Sequence, residues 1–204
     1  FLDDKINISP HLRLIILIII LTNFLYFDNS SLIQNFKFSF YDGLIGLKKA
    51  SFIFTLLCFL VFMISLNMFD GTNLQSSIFY LYISSFLLVH NYEINLFLIY
   101  LIVPLIFFSI KNFNGKVFLG DGGTYLLAFI FSYLIIHNHT LLEVKSDEIA
   151  LLILFPVVDA LRLCFFRILD NKSPFYPDKD HFHHILINKF NQKWSILLIF
   201  FELY

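Results

Sequence analysis

The chain has 204 residues, of which 58% are hydrophobic and only 14% are charged, and its formal net charge is −1. Soluble domains have roughly 45–50% apolar and about 25% charged residues, so this composition excludes a soluble globular protein. The net charge says nothing about an acidic partner, because only the distribution of charge matters here. The expected surrounding is a lipid bilayer, and no nucleic-acid partner is expected.

Seven apolar blocks follow one another along the chain. Most of them have the roughly 17–25 residues that a helix needs to cross a bilayer. The bilayer interior offers the backbone no hydrogen bonds, which restricts such segments to helices or a closed barrel. Barrel strands alternate in hydrophobicity, whereas these blocks are apolar on every side. The sequence therefore predicts an all-α polytopic integral membrane protein, a bundle of about seven transmembrane helices at 12–27, 50–66, 74–90, 94–110, 122–138, 148–169 and 194–204.

The chain starts at Phe1 and reaches Tyr204 inside an apolar run. We therefore expect residues 1–204 to form a single transmembrane domain that is truncated at both ends.

Successive helices alternate in direction, so the segments between them alternate between the two membrane faces. One face receives nine Lys and Arg residues in 1–13, 67–73, 111–121 and 167–193, and the other receives four in 28–49, 91–93 and 138–147. The excess of positive charge predicts that the first face is cytoplasmic. The acidic, glycine-rich and histidine-rich motifs fall on that same face.

Two of these motifs are acidic. Asp3 and Asp4 precede the first helix, and adjacent carboxylates near a bilayer favour a nearby cation or a solvated surface. Asn67 and Asp70, followed by Gly71, join two helices. Oxygen ligands three residues apart can share a hard cation, although the motif taken alone favours helix capping with a glycine turn.

A glycine-rich turn, 116–124, contains Lys116, Asp121, Gly122 and Gly123. The next helix directs its N-terminus toward the cytoplasmic face, where the helix dipole and free N–H groups suit a phosphate. Asp121 can hold a metal ion that bridges to that phosphate. The alternative is a tight turn with an aspartate cap.

Three histidines, His181, His183 and His184, lie near Lys179 in the loop 170–193. They can bind a transition metal or donate to anionic phosphates, or they can belong to a solvated interfacial loop. Within the sixth block, Asp159 and Arg162 are one turn apart and are expected to form a structural ion pair.

Taken in this order, the cytoplasmic motifs resemble those of the polyprenyl-phosphate N-acetylhexosamine-1-phosphate transferases, glycosyltransferase family 4. The matching stretches are 2–9, 67–71, 116–124 and 173–184. The last stretch is more similar to the WecA-like branch than to the related MraY translocases. The resemblance implies that 1–204 is a catalytic domain with cytoplasmic motif segments 1–13, 67–73, 111–124 and 167–193. It also implies about ten to eleven membrane helices in a full family member, so further helices are expected before and after this chain.

The resemblance also implies a reaction, which is transfer of N-acetylhexosamine 1-phosphate from a UDP-sugar to undecaprenyl phosphate with release of UMP. N-acetylglucosamine is the expected sugar, and initiation of a bacterial cell-surface glycan is the expected role. The implied cofactor is Mg²⁺, for which Mn²⁺ can substitute. The enzyme would lie in the bacterial cytoplasmic membrane with its site facing the cytoplasm, and a homodimer stays open. The implied metal ligands are Asp121 and Asn67, the implied substrate-binding residues are Lys116, Lys179, Gly122 and Gly123, and the implied catalytic residues are Asp3, Asp4, Asp70, His181, His183 and His184.

The chain departs from the family pattern Asn-x-x-Asn-x-x-Asp-Gly-x-Asp-Gly at three positions, where it has Ile64, Asn73 and Leu74. An inactive family member is therefore one alternative function. A membrane transporter is another, although a transporter site is expected near the membrane midplane.

Overall fold

A computed structural model of the protein describes residues 9–71, 73–90, 95–141 and 144–170. Within these residues the chain forms six α-helices, each beginning and ending close to a predicted block. The seventh predicted block, 194–204, lies outside the described residues. The helices are α1 Pro10–Phe27, α2 Ser51–Phe69, α3 Gln75–His90, α4 Asn95–Phe113, α5 Gly120–Thr140 and α6 Ser146–Leu169.

Length and composition qualify four of the described helices to cross a membrane. These spans are Pro10–Phe27, Lys48–Phe69, Leu96–Phe113 and Ser146–Leu169. The helix α3 has 16 residues, which is shorter than the roughly 20 that a typical span needs. The protein is therefore a mostly helical membrane protein, and the predicted count of seven spans is not reached among the described residues.

The prediction of a purely α-helical chain was wrong for the segment between α1 and α2. Strands β1 (Asn35–Phe38) and β2 (Tyr41–Gly46) pair there in an antiparallel hairpin, flanked by the short 3-10 turns Asn29–Ser31 and Lys48–Ala50. The strands are too short to appear as an apolar block. Each strand pairs the backbone groups of the other, which satisfies them without a helix.

The helix α2 lies at the centre of the bundle and packs against α1, α5 and α6. Phe59 of α2 stacks on Phe129 of α5 with ring centroids 5.9 Å apart, and Phe24 of α1 meets Phe129 edge-on at 5.1 Å. A further stack, Tyr80 on Phe131 at 4.9 Å, joins α3 to α5. Lipid tails are as apolar as these side chains, so close packing of this kind is the attraction that holds the helices together.

The interhelical contacts sort the connecting segments into two ends of the bundle. At one end, called the hairpin end, the Ser39 N–H donates to Asp147 Oδ1 at 2.9 Å, and His139 Nε2 lies 3.2 Å from the Asn35 carbonyl oxygen. At the other, called the Asp121 end, Arg13 contacts Asp121. These contacts confirm the predicted grouping for the α1–α2 and α5–α6 connections at one end and for Arg13 and the start of α5 at the other, whereas 91–93 and most of 167–193 lie outside the described residues.

Asp159 and Arg162 form the predicted ion pair within α6. The distance from Arg162 Nη2 to Asp159 Oδ1 is 3.0 Å, and the Asp159 side chain is 8% exposed. Arg162 Nε lies 3.3 Å from the same oxygen. The buried acid is therefore paired with a cationic partner on its own helix, whose side chain is partly exposed.

We expect Arg162→Leu to lower the free energy of unfolding by about 1–3 kcal/mol, because it removes a charged partner from a buried carboxylate. The matched control is the double variant Asp159→Leu/Arg162→Leu, which should recover most of the loss since an apolar pair needs no partner. Thermal unfolding in detergent of the wild type, the two single variants and the double variant gives the coupling free energy between Asp159 and Arg162. A double variant as unstable as Arg162→Leu would contradict the structural role of the pair.

Candidate active site

A cavity of about 230 Å³ opens at the Asp121 end between the α2–α3 connection, the α4–α5 connection and the start of α5. Two carboxylates and two side-chain amides face it, together with backbone of the glycine-rich turn. The lining residues are Asp70, Gly71, Asn73, Asn112, Phe118, Leu119, Gly120 and Asp121. The structure therefore brings together residues of two motifs that are 51 positions apart in the sequence.

Asp70 is the residue at which α2 ends, and its carboxylate is held by hydroxyls of two other helices. The Asp70 N–H closes the last turn of α2 by donating to the Leu66 carbonyl at 3.1 Å. The carboxylate accepts hydrogen bonds from Ser76 Oγ of α3 and, at 2.9 Å, from Thr124 Oγ1 of α5. Asp70 is thus fixed at the meeting point of three helices.

Asp121 lies in the first turn of α5, and its side chain is 48% exposed. Its Oδ2 accepts a hydrogen bond from Arg13 Nη1 at 2.6 Å. The preceding Gly120 has φ +66°, a conformation that favours glycine. Asp121 is therefore presented to the cavity by a turn that depends on glycine.

The N-terminus of α5 has room for a ligand beside its backbone. Leu119, the residue before the helix, makes no side-chain capping bond, so the first N–H groups keep their capacity to donate. A Cβ atom added to Gly122 would meet nothing within 4 Å, whereas one added to Gly123 would lie 3.0 Å from Leu119 Cδ1. Open backbone of this kind at a helix N-terminus can accept an anion.

Asn112 connects the two loops that form the cavity walls. Its Oδ1 accepts from the Leu74 N–H at 2.5 Å, and its Nδ2 donates to the Val117 carbonyl at 2.7 Å. The residue is 6% exposed, so both polar atoms need these partners. Sequence reasoning missed Asn112 because a single asparagine at the end of an apolar block leaves no recognisable pattern.

Leu74 has φ +71°, in the left-handed region that side chains with a Cβ rarely adopt. This is the position at which the family pattern has glycine. The departure from the pattern therefore places a leucine in a backbone conformation that glycine adopts without strain. The neighbouring departure, Asn73, lines the cavity itself.

The predicted site residues divide into three groups. Asp70 and Asp121 line one cavity, and Gly122 and Gly123 form the first turn of α5 beside it. Asn67 and Lys116 are not among the described residues that line it. Asn67 was predicted to lie in a loop but lies in the last turn of α2, because that helix continues to Phe69. Six predicted residues are outside the described residues, namely Asp3, Asp4, Lys179, His181, His183 and His184.

The donor set of the cavity fits a hard divalent cation. Its possible ligands are the carboxylates of Asp70 and Asp121 and the amide oxygen of Asn73, the ligand type that Mg²⁺ prefers. The described part of the chain contains no group of three or more His, Cys, Asp or Glu residues suited to a metal. Mg²⁺ usually takes one or two carboxylates and completes its shell with water and substrate phosphates, so two acids suffice.

The family model for glycosyl transferase family 4 matches residues 1–139, which is more than half of the chain. The chain belongs to glycosyl transferase family 4. The matched range ends within α5, so it includes the whole cavity described above. This membership agrees with the resemblance that the sequence motifs indicate.

Within this family, the chain is similar to proteins named undecaprenyl-phosphate alpha-N-acetylglucosaminyl 1-phosphate transferase. It is 30% identical to the one from Haemophilus influenzae over 92 residues, 42% of this chain and 25% of that protein. The Salmonella typhi protein is 30% identical and the Escherichia coli K12 protein 29% identical, each over 90 residues, 41% of this chain and 24% of the relative. The similarity thus covers about a quarter of these relatives. No solved structure matches the chain significantly.

We expect Leu74→Gly to be more stable than Leu74→Ala by about 1 kcal/mol, because both variants lose the leucine side chain but only glycine relieves the left-handed backbone. At ordinary positions glycine is the less stable of the two by roughly 0.5–1 kcal/mol. Thermal unfolding of both variants in detergent measures the order. If Leu74→Ala unfolds at the higher temperature, the left-handed conformation of Leu74 is contradicted.

Proposed function

We propose that the intact protein transfers N-acetylhexosamine 1-phosphate, with N-acetylglucosamine as the sugar, from a UDP-sugar to undecaprenyl phosphate and releases UMP. The names of the similar proteins support this acceptor and this class of group. The observation that carries the proposal is the shared cavity of Asp70 and Asp121 beside the N-terminus of α5. Because both reactants are anionic, they can meet only where positive charge offsets their repulsion.

In the proposed reaction an oxygen of the acceptor phosphate attacks the sugar-linked phosphorus of the donor. The bond between that phosphorus and the bridging oxygen breaks, and UMP leaves with this oxygen. Catalysis of phosphoryl transfer consists mostly of positioning and charge stabilisation. When bound, Mg²⁺ or Mn²⁺ would supply charge neutralisation at the phosphates.

The described residues have separate parts in this proposal. Asp121 is the principal metal ligand, and Asp70, which Thr124 and Ser76 hold in place, is the second. The free N–H groups of Gly122 and Gly123 face the phosphates of the donor. Asn112 keeps the two cavity walls together, so it positions the site without touching the substrate.

Residues outside the described part of the chain complete the proposal. We assign Asp3 and Asp4 to the acceptor phosphate. A phosphate monoester has a second pKa near 6 and is mostly dianionic at pH 7, so these acids would orient the nucleophile rather than deprotonate it. We assign Lys179 and the three histidines His181, His183 and His184, together with Lys116 of the described part, to the diphosphate and sugar.

The location of the cavity favours a transferase over a transporter. Transporter sites lie near the bilayer midplane on broken helices, whereas Asp70 and Asp121 lie at the ends of α2 and α5. The acid within α6, Asp159, is paired with Arg162. A site at helix ends suits the joining of a water-soluble nucleotide to a membrane lipid.

The proposed location is the bacterial cytoplasmic membrane, with the Asp121 end facing the cytoplasm. The excess of Lys and Arg at that end supports this orientation. The test of the function is release of UMP from UDP-N-acetylglucosamine by the purified intact protein with undecaprenyl phosphate and Mg²⁺. No UMP release from folded protein would favour the inactive family member.

We expect Asp121→Asn to abolish Mg²⁺-dependent UMP release, because the amide keeps the shape of the side chain but removes the charge that binds the cation. The thermal unfolding temperature should stay close to that of the wild type, since the side chain is half exposed. Glu148→Gln at the hairpin end is the matched control and should retain activity. Unchanged turnover and unchanged Mg²⁺ dependence in Asp121→Asn would refute the metal assignment.

We expect His183→Ala to raise the KM for the UDP-sugar strongly while barely changing the Mg²⁺ concentration that gives half-maximal rate. The reason is that hard Mg²⁺ prefers oxygen ligands, which leaves imidazole to donate to phosphate oxygens. Initial rates over a grid of donor and Mg²⁺ concentrations separate the two effects. Rescue of the variant by added Mg²⁺ alone would assign the histidine to the metal site instead.

A further inference from the structure

The closest contact of Asp121 with another charged side chain in the described structure is with Arg13 of α1. Arg13 Nη1 lies 2.6 Å from Asp121 Oδ2, although the two residues are 108 positions apart. Both side chains are partly open to solvent, with exposures of 31% and 48%. This arginine entered the sequence reasoning only as one of nine positive charges on its face.

The packing of α1 against α5 keeps Arg13 at this place. Phe24, eleven residues further along α1, packs edge-on against Phe129 at 5.1 Å and Tyr133 at 6.0 Å. These residues follow Asp121 by eight and twelve positions. The two helices thus run side by side in the same direction, which brings Arg13 of α1 to the start of α5.

The charges around the cavity make this arginine significant. Asp70 and Asp121 are the two charged residues among the described lining, and Arg13 offsets one of them. Without a bound cation, the formal charges of Asp70, Asp121 and Arg13 sum to −1. When a divalent cation binds the two acids, the sum of these charges and that of the cation is +1. The net charge of the site therefore changes sign.

Resting on the proposed function, we propose that Arg13 is a displaceable counter-ion of Asp121, which a divalent cation replaces when it binds. The contact suits displacement because it joins one nitrogen to one oxygen at a solvent-accessible position. Exposed ion pairs contribute little to stability, so a doubly charged cation can compete with the guanidinium. Once the guanidinium is displaced from Asp121, its positive charge is no longer offset, so the cavity has a surplus positive charge that attracts an anionic substrate.

The test is the affinity of the purified intact protein for Mn²⁺ alone, measured from the electron paramagnetic resonance signal of free Mn²⁺ in the absence of substrates. Removing the competing charge by Arg13→Gln should tighten Mn²⁺ binding by about two- to five-fold, the range expected for an exposed ion pair. Arg13→Met, which keeps the apolar stem of the side chain, should have the same effect. It replaces Arg13→Gln if that variant does not fold.

Two comparisons complete the experiment. Lys111→Gln removes an exposed positive charge from the same end of the bundle and should leave the Mn²⁺ affinity within experimental error. Asp121→Asn should lose Mn²⁺ binding. A tightening in the Arg13 variants that Lys111→Gln does not reproduce supports the displacement.

The opposite outcomes separate this inference from the proposed function. If Asp121→Asn loses Mn²⁺ but the Arg13 variants bind it equally or more weakly, Arg13 positions Asp121 instead of competing with the cation, and only this inference is overturned. If the Lys111 variant tightens binding as much as the Arg13 variants do, the effect is general electrostatics and the inference is again overturned. If Asp121→Asn binds Mn²⁺ as well as the wild type, the metal site of the proposed function fails, and the inference fails with it.

Discussion

The interior of a bilayer provides no hydrogen-bonding partner for a polypeptide, and this constraint governs the arrangement of the whole chain. Each described membrane span satisfies its own backbone as a helix, which leaves charged side chains two options: the ends of helices or pairing within the bundle. Asp70 and Asp121 take the first option and Asp159 with Arg162 takes the second. The cavity at one end is thus a consequence of the same physics that makes the chain helical.

The packing of aromatic rings then decides which helix ends come together. Three helices meet at one aromatic cluster, to which α2 contributes Phe59, α5 contributes Phe129 and α1 contributes Phe24. The helix α2 ends at Asp70, whereas Asp121 and Arg13 lie in the first turns of α5 and α1. Thr124 completes the arrangement, since its hydroxyl on α5 reaches the acid that ends α2. Hydroxyls of two neighbouring helices hold the Asp70 carboxylate, whereas Asp121, in the first turn of α5, is half exposed to solvent.

The positions of the helices were predictable because the length of an uninterrupted apolar block indicates both how long the secondary-structure element is and that it is a helix. The convergence of Asp70 and Asp121 was predictable because helices alternate in direction. The hairpin was not, since short strands next to a membrane resemble a polar loop. Arg13 and Asn112 were missed for a different reason, which is that a contact between distant segments leaves no local pattern in the residues that make it.

Contacts at both ends of the bundle also have a consequence for biosynthesis. The pair Arg13 and Asp121 and the pair Ser39 and Asp147 each join residues 108 positions apart. At about 5–20 residues per second of translation, each earlier partner waits roughly 5 to 20 seconds for the later one. During that interval α1 and the hairpin have been synthesised while their partners have not. Both ends of the bundle therefore close only after α5 and the start of α6 have been synthesised, and the hairpin end closes last.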